Sequence, residues 1–375
     1  MFASMPGAAK ALLWVRILNQ MGAYALAFLA VFAGPDLASL ALALFGVAAL
    51  LSRWAGAFVL DWLPPRIVVA AGLCATGLSL VALSAARTPP QVLIAVVLVG
   101  LAFEIYEPAT QELVAQVTED DQRQELYGLL GSSLVAAGAI GGLIAAALLP
   151  LGVRWLVVVD AATCLAAAAI ALFFLPRGNA ERPVPGEDRK RWRPSALLLR
   201  FTLAGTAFAV GYLAVVMFMP LVLLQRGAPA WLPGVALTGA AALAPLTLWA
   251  TRRLLTPRPH GLVLAGGAVL LGLLALTMAR AENLPLTVGA YLAWTAVNGV
   301  LLGRWQALVA DAAPEAERPR WFAFQGSSWG IAQPAVPGMV ALVGGVAGAV
   351  GPAAFLTAGA AFLVVPFALK ARLAT

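Results

Sequence analysis

Residues 104–133 read EIYEPATQELVAQVTEDDQRQELYGLLGSS, and the rest of the chain is organised around this stretch. It places two carboxylates, Glu104 and Glu107, inside an apolar run, and a short charged loop separates that run from the next. Its C-terminal part returns 195 positions later without a gap, pairing Gln111 with Gln306, Leu113 with Leu308, Val114 with Val309, Ala115 with Ala310, Arg123 with Arg318, Gly131 with Gly326, Ser132 with Ser327 and Ser133 with Ser328. An offset of about half the chain indicates a duplicated half rather than a short solenoid repeat.

The composition is typical of a membrane protein. The 375 residues are 62 % hydrophobic and only 11 % charged, whereas soluble domains carry roughly 25 % charged residues. Apolar runs of about 20 residues recur along the chain, a length that suits helices crossing a bilayer. These runs lack the period-2 alternation of a transmembrane barrel. We therefore predict an all-α polytopic membrane protein.

The apolar runs predict 12 transmembrane helices in two pseudo-symmetric six-helix bundles. Residues 1–175 form the first predicted bundle and residues 197–375 the second, and the polar, proline-rich segment 176–196 is the predicted cytoplasmic linker. The predicted spans lie near residues 10–33, 37–60, 66–86, 90–116, 125–149, 154–175, 197–223, 231–253, 261–279, 284–309, 321–344 and 349–370.

The distribution of basic residues predicts the orientation of the chain. If both termini are cytoplasmic, 17 Lys and Arg residues lie on the cytoplasmic side, four lie outside and three lie within spans. Cytoplasmic loops of membrane proteins carry such an excess. We expect a multi-pass protein of the cell inner (plasma) membrane with both termini cytoplasmic. The net charge of +7 then reflects topology, and we expect no nucleic-acid partner.

Several kinds of chemistry are excluded by residues that the sequence lacks. His260 is the only histidine, and Cys74 and Cys164 both fall inside apolar runs. One histidine cannot build a metal site or a convincing Ser/His/Asp triad. No lysine lies in the Gly-Lys-Ser/Thr context of a phosphate-binding loop. We expect no enzyme activity, no metal and no cofactor, with the proton as coupling ion.

Three charged residues lie deep within predicted spans. In a continuous helix, Glu104 is about 21 Å from either end of its span, Glu107 follows one turn later on the same face, and Arg53 lies about 12 Å into the second span. One interpretation is an ion pair of Arg53 with one of the acids that only locks two helices. The other is a titrating site, because two neighbouring carboxylates cannot both ionise cheaply in a low dielectric. Two acids beside one arginine leave one acid to spare, so we favour a proton-coupling role for Glu104, Glu107 and Arg53.

Two further arginines lie within spans. We expect Arg16 to extend its long side chain back to the cytoplasmic interface. Arg304 either pairs with Asp311 or contacts a substrate carboxylate.

The loop after the second span carries a family motif. Residues 57–66 (AFVLDWLPPR) resemble the signature Gly-x-x-x-Asp-Arg/Lys-x-Gly-Arg/Lys of the major facilitator superfamily. Asp61 and Arg66 are kept, whereas Trp62 replaces a basic residue and Pro64 replaces the loop glycine. The resemblance implies a cytoplasmic gate in which Asp61 meets the N-terminus of span eleven.

Three spans extend the resemblance. Residues 104–109 (EIYEPA) look like the Glu-Leu-Tyr-Arg-Pro-Ala segment of drug exporters, with Glu107 in place of the basic residue. Residues 141–146 (GGLIAA) resemble the antiporter signature Gly-Pro-x-x-Gly-Gly without its proline, and residues 328–338 (SWGIAQPAVPG) match span eleven. Nearly the whole chain thus resembles the twelve-helix drug–proton antiporter branch of the superfamily.

The resemblance implies a mechanism and a set of site residues. Spans one, four, seven and ten are expected to line a central cavity between the halves, and one half rocks against the other for alternating access. The implied activity is proton-coupled efflux of small amphipathic or hydrophobic compounds by a monomer in the lipid bilayer. The expected gate consists of Asp61, Arg66 and Arg123. The residues expected in the substrate cavity are Asn19, Gln20, Tyr24, Tyr106, Tyr212, Tyr291, Asn298 and Arg304.

Other functions stay open at this point. The chain could export one dedicated metabolite or a modified peptide, or it could be a facilitator or an importer. A non-transporting membrane receptor is the alternative from a different class.

Overall fold

The structure is a computed structural model that forms two compact units, Met1–Gly186 and Glu187–Thr375. Most of the predicted linker, residues 177–191, lies outside the described residues. The structure describes residues 7–22, 25–60, 62–116, 120–176, 192–255, 257–301, 303–314, 317–347 and 349–369.

Both units are helical. Within the described residues, 12 stretches are long and apolar enough to cross a membrane, which confirms the predicted all-α class with its twelve spans. The helices of the first unit are α1 (Gly7–Gly22), α2 (Ala25–Ala33), α3 (Ala38–Val59), α4 (Pro65–Ala85), α5 (Pro89–Phe103), α6 (Glu107–Gln116), α7 (Asp120–Leu148) and α8 (Val153–Phe174). The helices of the second unit are α9 (Ala196–Gln225), α10 (Leu232–Leu255), α11 (His260–Arg280), α12 (Leu284–Leu301), α13 (Arg304–Ala312), α14 (Arg318–Ala347) and α15 (Val350–Leu369).

The sequence repeat is present in the fold. Helices α4 and α11 begin at Pro65 and His260, and α5 and α12 begin at Pro89 and Leu284, so both pairs are 195 residues apart. The packing partners correspond as well: α4 packs on α8 as α11 packs on α15, and α3 packs on α5 as α10 packs on α12. Each unit is therefore built on the same plan.

The described part of each unit contains a span made of two helices in tandem. In the first unit α5 and α6 form the fourth span, with Glu104, Ile105 and Tyr106 in a turn between them. In the second unit α12 and α13 form the tenth span, and Gly303, with φ of 78°, precedes α13. A positive φ is costly for residues with a Cβ atom, so a glycine suits this position.

The interior of the first unit surrounds its broken span. Leu12 of α1, Leu73 of α4, Leu113 of α6 and Ala167 of α8 belong to one buried apolar cluster that also includes Tyr106. Small residues at such contacts let helices approach closely, which is how helices associate in lipid. The break in the fourth span is thus held on several sides by packed helices.

Candidate functional site

The break in the fourth span separates the two acidic residues. Helix α5 ends at Phe103, and α6 begins at Glu107 with Pro108 in its first turn. The backbone N–H of Glu104 donates to Ser52 Oγ at 3.3 Å. The prediction of one continuous helix that carries Glu104 and Glu107 on the same stripe is therefore wrong. Proline is tolerated in a first turn because the N–H it lacks would have no helical partner there.

Two glycines make room for this break. A Cβ atom on Gly56 of α3 would collide with the backbone carbonyl oxygen of Ile105. A Cβ atom on Gly72 of α4 would lie 3.0 Å from Tyr106 Cβ. The second unit repeats the contact of Gly72. A Cβ atom on Gly267 would lie 2.7 Å from a methyl group of Leu301, and these two residues lie 195 positions after Gly72 and Tyr106. Glycine therefore sets how closely α3 and α4 approach the turn.

Glu107 forms an ion pair with Arg16. Arg16 Nη1 donates to Glu107 Oε2 at 2.5 Å, and the two side chains retain 19 % and 24 % exposure. The prediction that Arg16 extends to the cytoplasmic interface is therefore wrong. Arg16, rather than Arg53, is the ion-pair partner of Glu107. Arg53 is exposed on α3. The negative charge at the start of α6 also suits the positive end of the helix dipole.

Glu104 is the carboxylate that this ion pair leaves over. Its side chain is half-buried, and within the described part of the chain no hydrogen bond reaches its carboxylate. The charges of Arg53, Glu107 and Arg16 all act on it. A carboxylate within a span is costly unless it faces water or a charge, which makes such residues functional more often than structural.

A polar network adjoins the ion pair. Asn19 Nδ2 donates to the Tyr106 hydroxyl at 2.7 Å. Cys164 Sγ lies 3.7 Å from Asn19 Oδ1 and 3.6 Å from Oδ1 of the buried Asp160. The hydrogen bond between Asn19 and Tyr106 thus links α1 to the turn before α6. Gln20, on α1, is half-buried.

The structure describes fewer contacts for the other predicted site residues of this unit. Arg66 Nη1 donates to the Leu175 carbonyl oxygen at 3.5 Å, which connects the start of α4 to the end of α8. Tyr24, Asp61 and the side chain of Arg123 lie outside the described residues, so their predicted cavity and gate roles stay predictions.

The second unit has an open cavity of about 170 Å³ between α9, α12, α13 and α14. Of the predicted cavity residues, Tyr212 and Asn298 line it. The full lining consists of Gly205, Phe208, Tyr212, Asn298, Leu301, Gly303, Trp305, Gln306, Gln325 and Trp329. The wall therefore combines four aromatic rings with three carboxamide side chains.

Aromatic rings continue behind this wall. The Tyr212 ring lies 5.3 Å from Trp329 and 5.6 Å from Trp294, and the Phe208 ring lies 5.7 Å from Trp305. Such separations are typical of favourable edge-to-face and tilted pairs. The rings hold one another in place, so the cavity has a preformed apolar wall.

Two predicted cavity residues have other contacts. Arg304 Nη2 donates to the Leu255 carbonyl oxygen at 3.0 Å, and its Nη1 lies 3.3 Å from His260 Nδ1. Asp311 lies 3.9 Å from His260 rather than pairing with Arg304. Tyr291 is 2 % exposed and stacks on Trp294. Neither Arg304 nor Tyr291 lines the cavity of the second unit, and their predicted place in a cavity between the halves stays a prediction. Arg304 closes the C-terminal end of α10, where cations are favoured.

The described residues contain no group of three or more His, Cys, Asp and Glu side chains able to hold a metal ion. The chain instead offers an intramembrane carboxylate in one unit and an aromatic cavity in the other. Two repeated helical units with broken spans and intramembrane charge define a polytopic membrane transporter.

Comparison with known families agrees with this class. Residues 11–337 match the Major Facilitator Superfamily, and the chain belongs to that superfamily of transporters. No curated protein matches the chain.

Solved structures share the fold across their whole length. A POT family transporter in complex with 5-aminolevulinic acid is 12 % identical, with 99 % of this chain and 98 % of that chain covered and a TM-score of 0.79. A variant of the nucleoside transporter NupG is 12 % identical, with 97 % of each chain covered and a TM-score of 0.70. A bacterial homologue of the human lysosomal transporter Spinster is 13 % identical, with 98 % and 97 % covered and a TM-score of 0.70. At these identities the likeness concerns the fold alone.

Proposed function

We propose that this protein is a proton-coupled exporter of small amphipathic or hydrophobic compounds that works by alternating access. The observation that carries the proposal is the half-buried carboxylate of Glu104 at the break in the fourth span, which accepts no hydrogen bond from the described residues. Arg16 neutralises Glu107 at 2.5 Å, which leaves Glu104 half-buried with only more distant charges around it. Glu104 is therefore the carboxylate of this group that is open to a proton.

The protonation state of Glu104 couples ligand and proton in this scheme. Proton binding from the outer side removes the charge, which favours release of the ligand outside. Loss of the proton to the cytoplasm restores the charge and resets the site. An ionised carboxylate within a membrane costs at least roughly 2.5–3.5 kcal/mol, so ionisation favours the conformation in which Glu104 meets water.

The aromatic cavity of the second unit supports the proposed class of substrate. Phe208, Tyr212, Trp305 and Trp329 offer ring faces and edges, and Asn298 offers a carboxamide. Large, rigid aromatic surfaces with a few polar groups are typical of sites for drug-sized amphipathic molecules.

The charge asymmetry of the loops supports the proposed orientation. With both termini cytoplasmic in the plasma membrane, 17 Lys and Arg residues lie inside against four outside. Outward movement of the ligand against an inward proton flux is then antiport.

Transport by protein reconstituted in liposomes tests this proposal. An imposed inward pH gradient should drive flux of fluorescent amphipathic compounds, with proton movement recorded in the same vesicles. Glu104→Gln should reduce gradient-driven flux to the level of empty vesicles and keep exchange without a gradient, because the variant cannot release a proton. Glu282→Gln, at an exposed acid between α11 and α12, is the matched control and should transport normally.

The same assay separates the proposal from its rivals. Gradient-driven flux that persists in Glu104→Gln contradicts the assignment of the coupling residue. Flux that ignores the gradient in the unmodified protein indicates a facilitator. Competition by only a narrow set of compounds indicates a dedicated transporter of one metabolite or modified peptide. Binding without flux indicates a receptor.

A further inference from the structure

Each unit carries an open apolar groove at the same place in the repeat. The groove of the first unit lies between α4 and α5 and measures about 380 Å³. The groove of the second unit lies between α11 and α12 and measures about 460 Å³. Residues 195 positions apart line the two grooves, including the pairs Val68 and Val263, Gly72 and Gly267, and Ala75 and Leu270. The groove is therefore part of the duplicated plan of the fold.

The length of the second groove suits one leaflet of a bilayer. Along α11 its lining extends from Leu262 to Leu270, which is about 12 Å of helix. Because α11 runs from His260 to Arg280, Leu270 lies at the middle of this span. The hydrocarbon core is roughly 30 Å thick, so the middle of a span lies about 15 Å from the surface. Leu262 and Leu270 are 48 % and 45 % exposed. The groove thus extends from one membrane surface to about the depth that a lipid acyl chain reaches.

A glycine keeps the second groove open. Gly266 lines the groove and is exposed. A Cβ atom on Gly266 would meet no atom of the described residues within 4 Å. A larger side chain at this position would therefore enter the groove without displacing the helices around it. The space beside Gly266 is available to a flexible apolar chain.

The two grooves differ in charge at the membrane surface. Arg258, in the loop before α11, is exposed and is the only charged side chain among the described residues that line the second groove. Leu63 takes the corresponding place in the first groove. Helix α10 also ends with Arg252 and Arg253, whereas α3 has no basic residue in its last turn. Basic pockets between membrane-spanning helices attract anionic lipid headgroups. The second groove therefore combines a place for an acyl chain with a cation for a headgroup.

We infer that the groove of the second unit binds an anionic phospholipid, with one acyl chain along α11 and the phosphate at Arg258. The groove of the first unit accepts an acyl chain without selecting its headgroup, because Leu63 offers no charge there. In the proposed orientation Arg258 lies at the cytoplasmic surface, so the lipid comes from the cytoplasmic leaflet. The inference concerns a lipid partner and does not depend on the transported substrate or on proton coupling.

Native mass spectrometry of the full-length protein tests this inference. The purified protein is titrated with phosphatidylglycerol or with phosphatidylcholine of the same acyl chains, and the affinity of the first bound lipid is measured. Phosphatidylglycerol should bind about fivefold more tightly, the gain expected from one arginine near an anionic headgroup. Arg258→Gln should abolish this difference by weakening phosphatidylglycerol alone. Arg253→Gln removes the same charge from an exposed residue outside the lining, so this control should keep the preference.

Three further variants locate the lipid. Gly266→Leu fills the second groove and should weaken phosphatidylglycerol about tenfold, since the lost burial of two methylene groups already has that effect. Ala71→Leu makes the same change at the corresponding position of the first groove and should leave the affinity unchanged. Leu63→Arg, at a side chain that is 40 % exposed, should create a second site that prefers phosphatidylglycerol. This gain of binding tests the inference even if Gly266→Leu folds poorly.

Other results overturn the inference. Equal affinity of the unmodified protein for the two lipids excludes a headgroup site. An equal loss of preference in Arg253→Gln and Arg258→Gln indicates diffuse attraction by the surface charge. A protein dimer that excludes lipid and that Gly266→Leu disrupts indicates that a second copy of the chain fills the groove. None of these results bears on whether Glu104→Gln abolishes gradient-driven flux, so the proposed function is tested separately.

Discussion

Arg16→Met should lower the free energy of unfolding by about 3 kcal/mol, since removing one member of a buried ion pair strands the other charge. The pair is close at 2.5 Å and both side chains are mostly buried, so little water reaches Glu107 once Arg16 is gone. Methionine keeps the apolar contacts of the arginine stem, so the loss of stability reports the loss of the positive charge alone. Reversible unfolding of the purified protein, followed by circular dichroism in mixed detergent, measures the change.

Two comparisons make this result specific. The double variant Arg16→Met/Glu107→Gln should recover most of the lost stability, because the stranded charge is gone. Arg53→Met should change stability by under about 1 kcal/mol, the range of exposed charges, since Arg53 is exposed. A larger loss for Arg53→Met than for Arg16→Met contradicts the assigned pairing.

Gly56→Ala should destabilise the protein by about 1–3 kcal/mol, the usual cost of overpacking a tight contact. It should also reduce transport strongly. The added methyl group meets the carbonyl oxygen of Ile105, which belongs to backbone and cannot rotate away. The turn that carries Glu104 must therefore shift. Unfolding measurements and liposome flux on the same preparation report both effects.

Gly138→Ala is the matched control for this change. Gly138 lies in a helix of the same unit, and a Cβ atom there meets no atom of the described residues within 4 Å. Alanine favours helix over glycine by roughly 0.5–1 kcal/mol, so this variant should be as stable as the unmodified protein or slightly more so. Normal stability and flux in Gly56→Ala would show that α3 does not hold the turn in place.

The sequence predicted the helical scaffold closely because bilayer thickness dictates it. A predicted span near 66–86 appears as α4 (Pro65–Ala85), and one near 261–279 appears as α11 (His260–Arg280). Long apolar runs bounded by polar or proline residues leave few alternatives in lipid. The duplication could also be predicted from the sequence, because identical residues recur at one fixed offset.

The breaks within spans were harder to predict, although the sequence carried signals for them. Pro108 has no N–H, and in a continuous helix its ring would clash with the carbonyl group of Glu104, and Gly303 permits the positive φ found there. Both residues lie inside runs whose apolar character alone indicates an uninterrupted helix. Hydropathy reports burial and is insensitive to a three-residue turn, which explains why the fourth span was predicted as continuous.

The partners of the charged residues could not be predicted from spacing along the chain. Arg16 and Glu107 are 91 positions apart and meet only because α1 packs beside the broken span. The expectation of two acids beside a single arginine is wrong, because Arg16 pairs with Glu107 while Arg53 acts on Glu104 as a more distant charge. The cavity at α13 likewise joins residues from four helices, of which sequence stripes identified only part.

Infrared difference spectroscopy tests the central claim, that Glu104 binds the coupling proton, most directly. Protein in nanodiscs is exchanged between acidic and alkaline buffer, and the carbonyl stretch of protonated carboxyl groups is recorded for the unmodified protein, Glu104→Gln and Glu107→Gln. One protonated-carboxyl band should disappear in Glu104→Gln and persist in Glu107→Gln. A spectrum of Glu104→Gln that superimposes on that of the unmodified protein would contradict the claim.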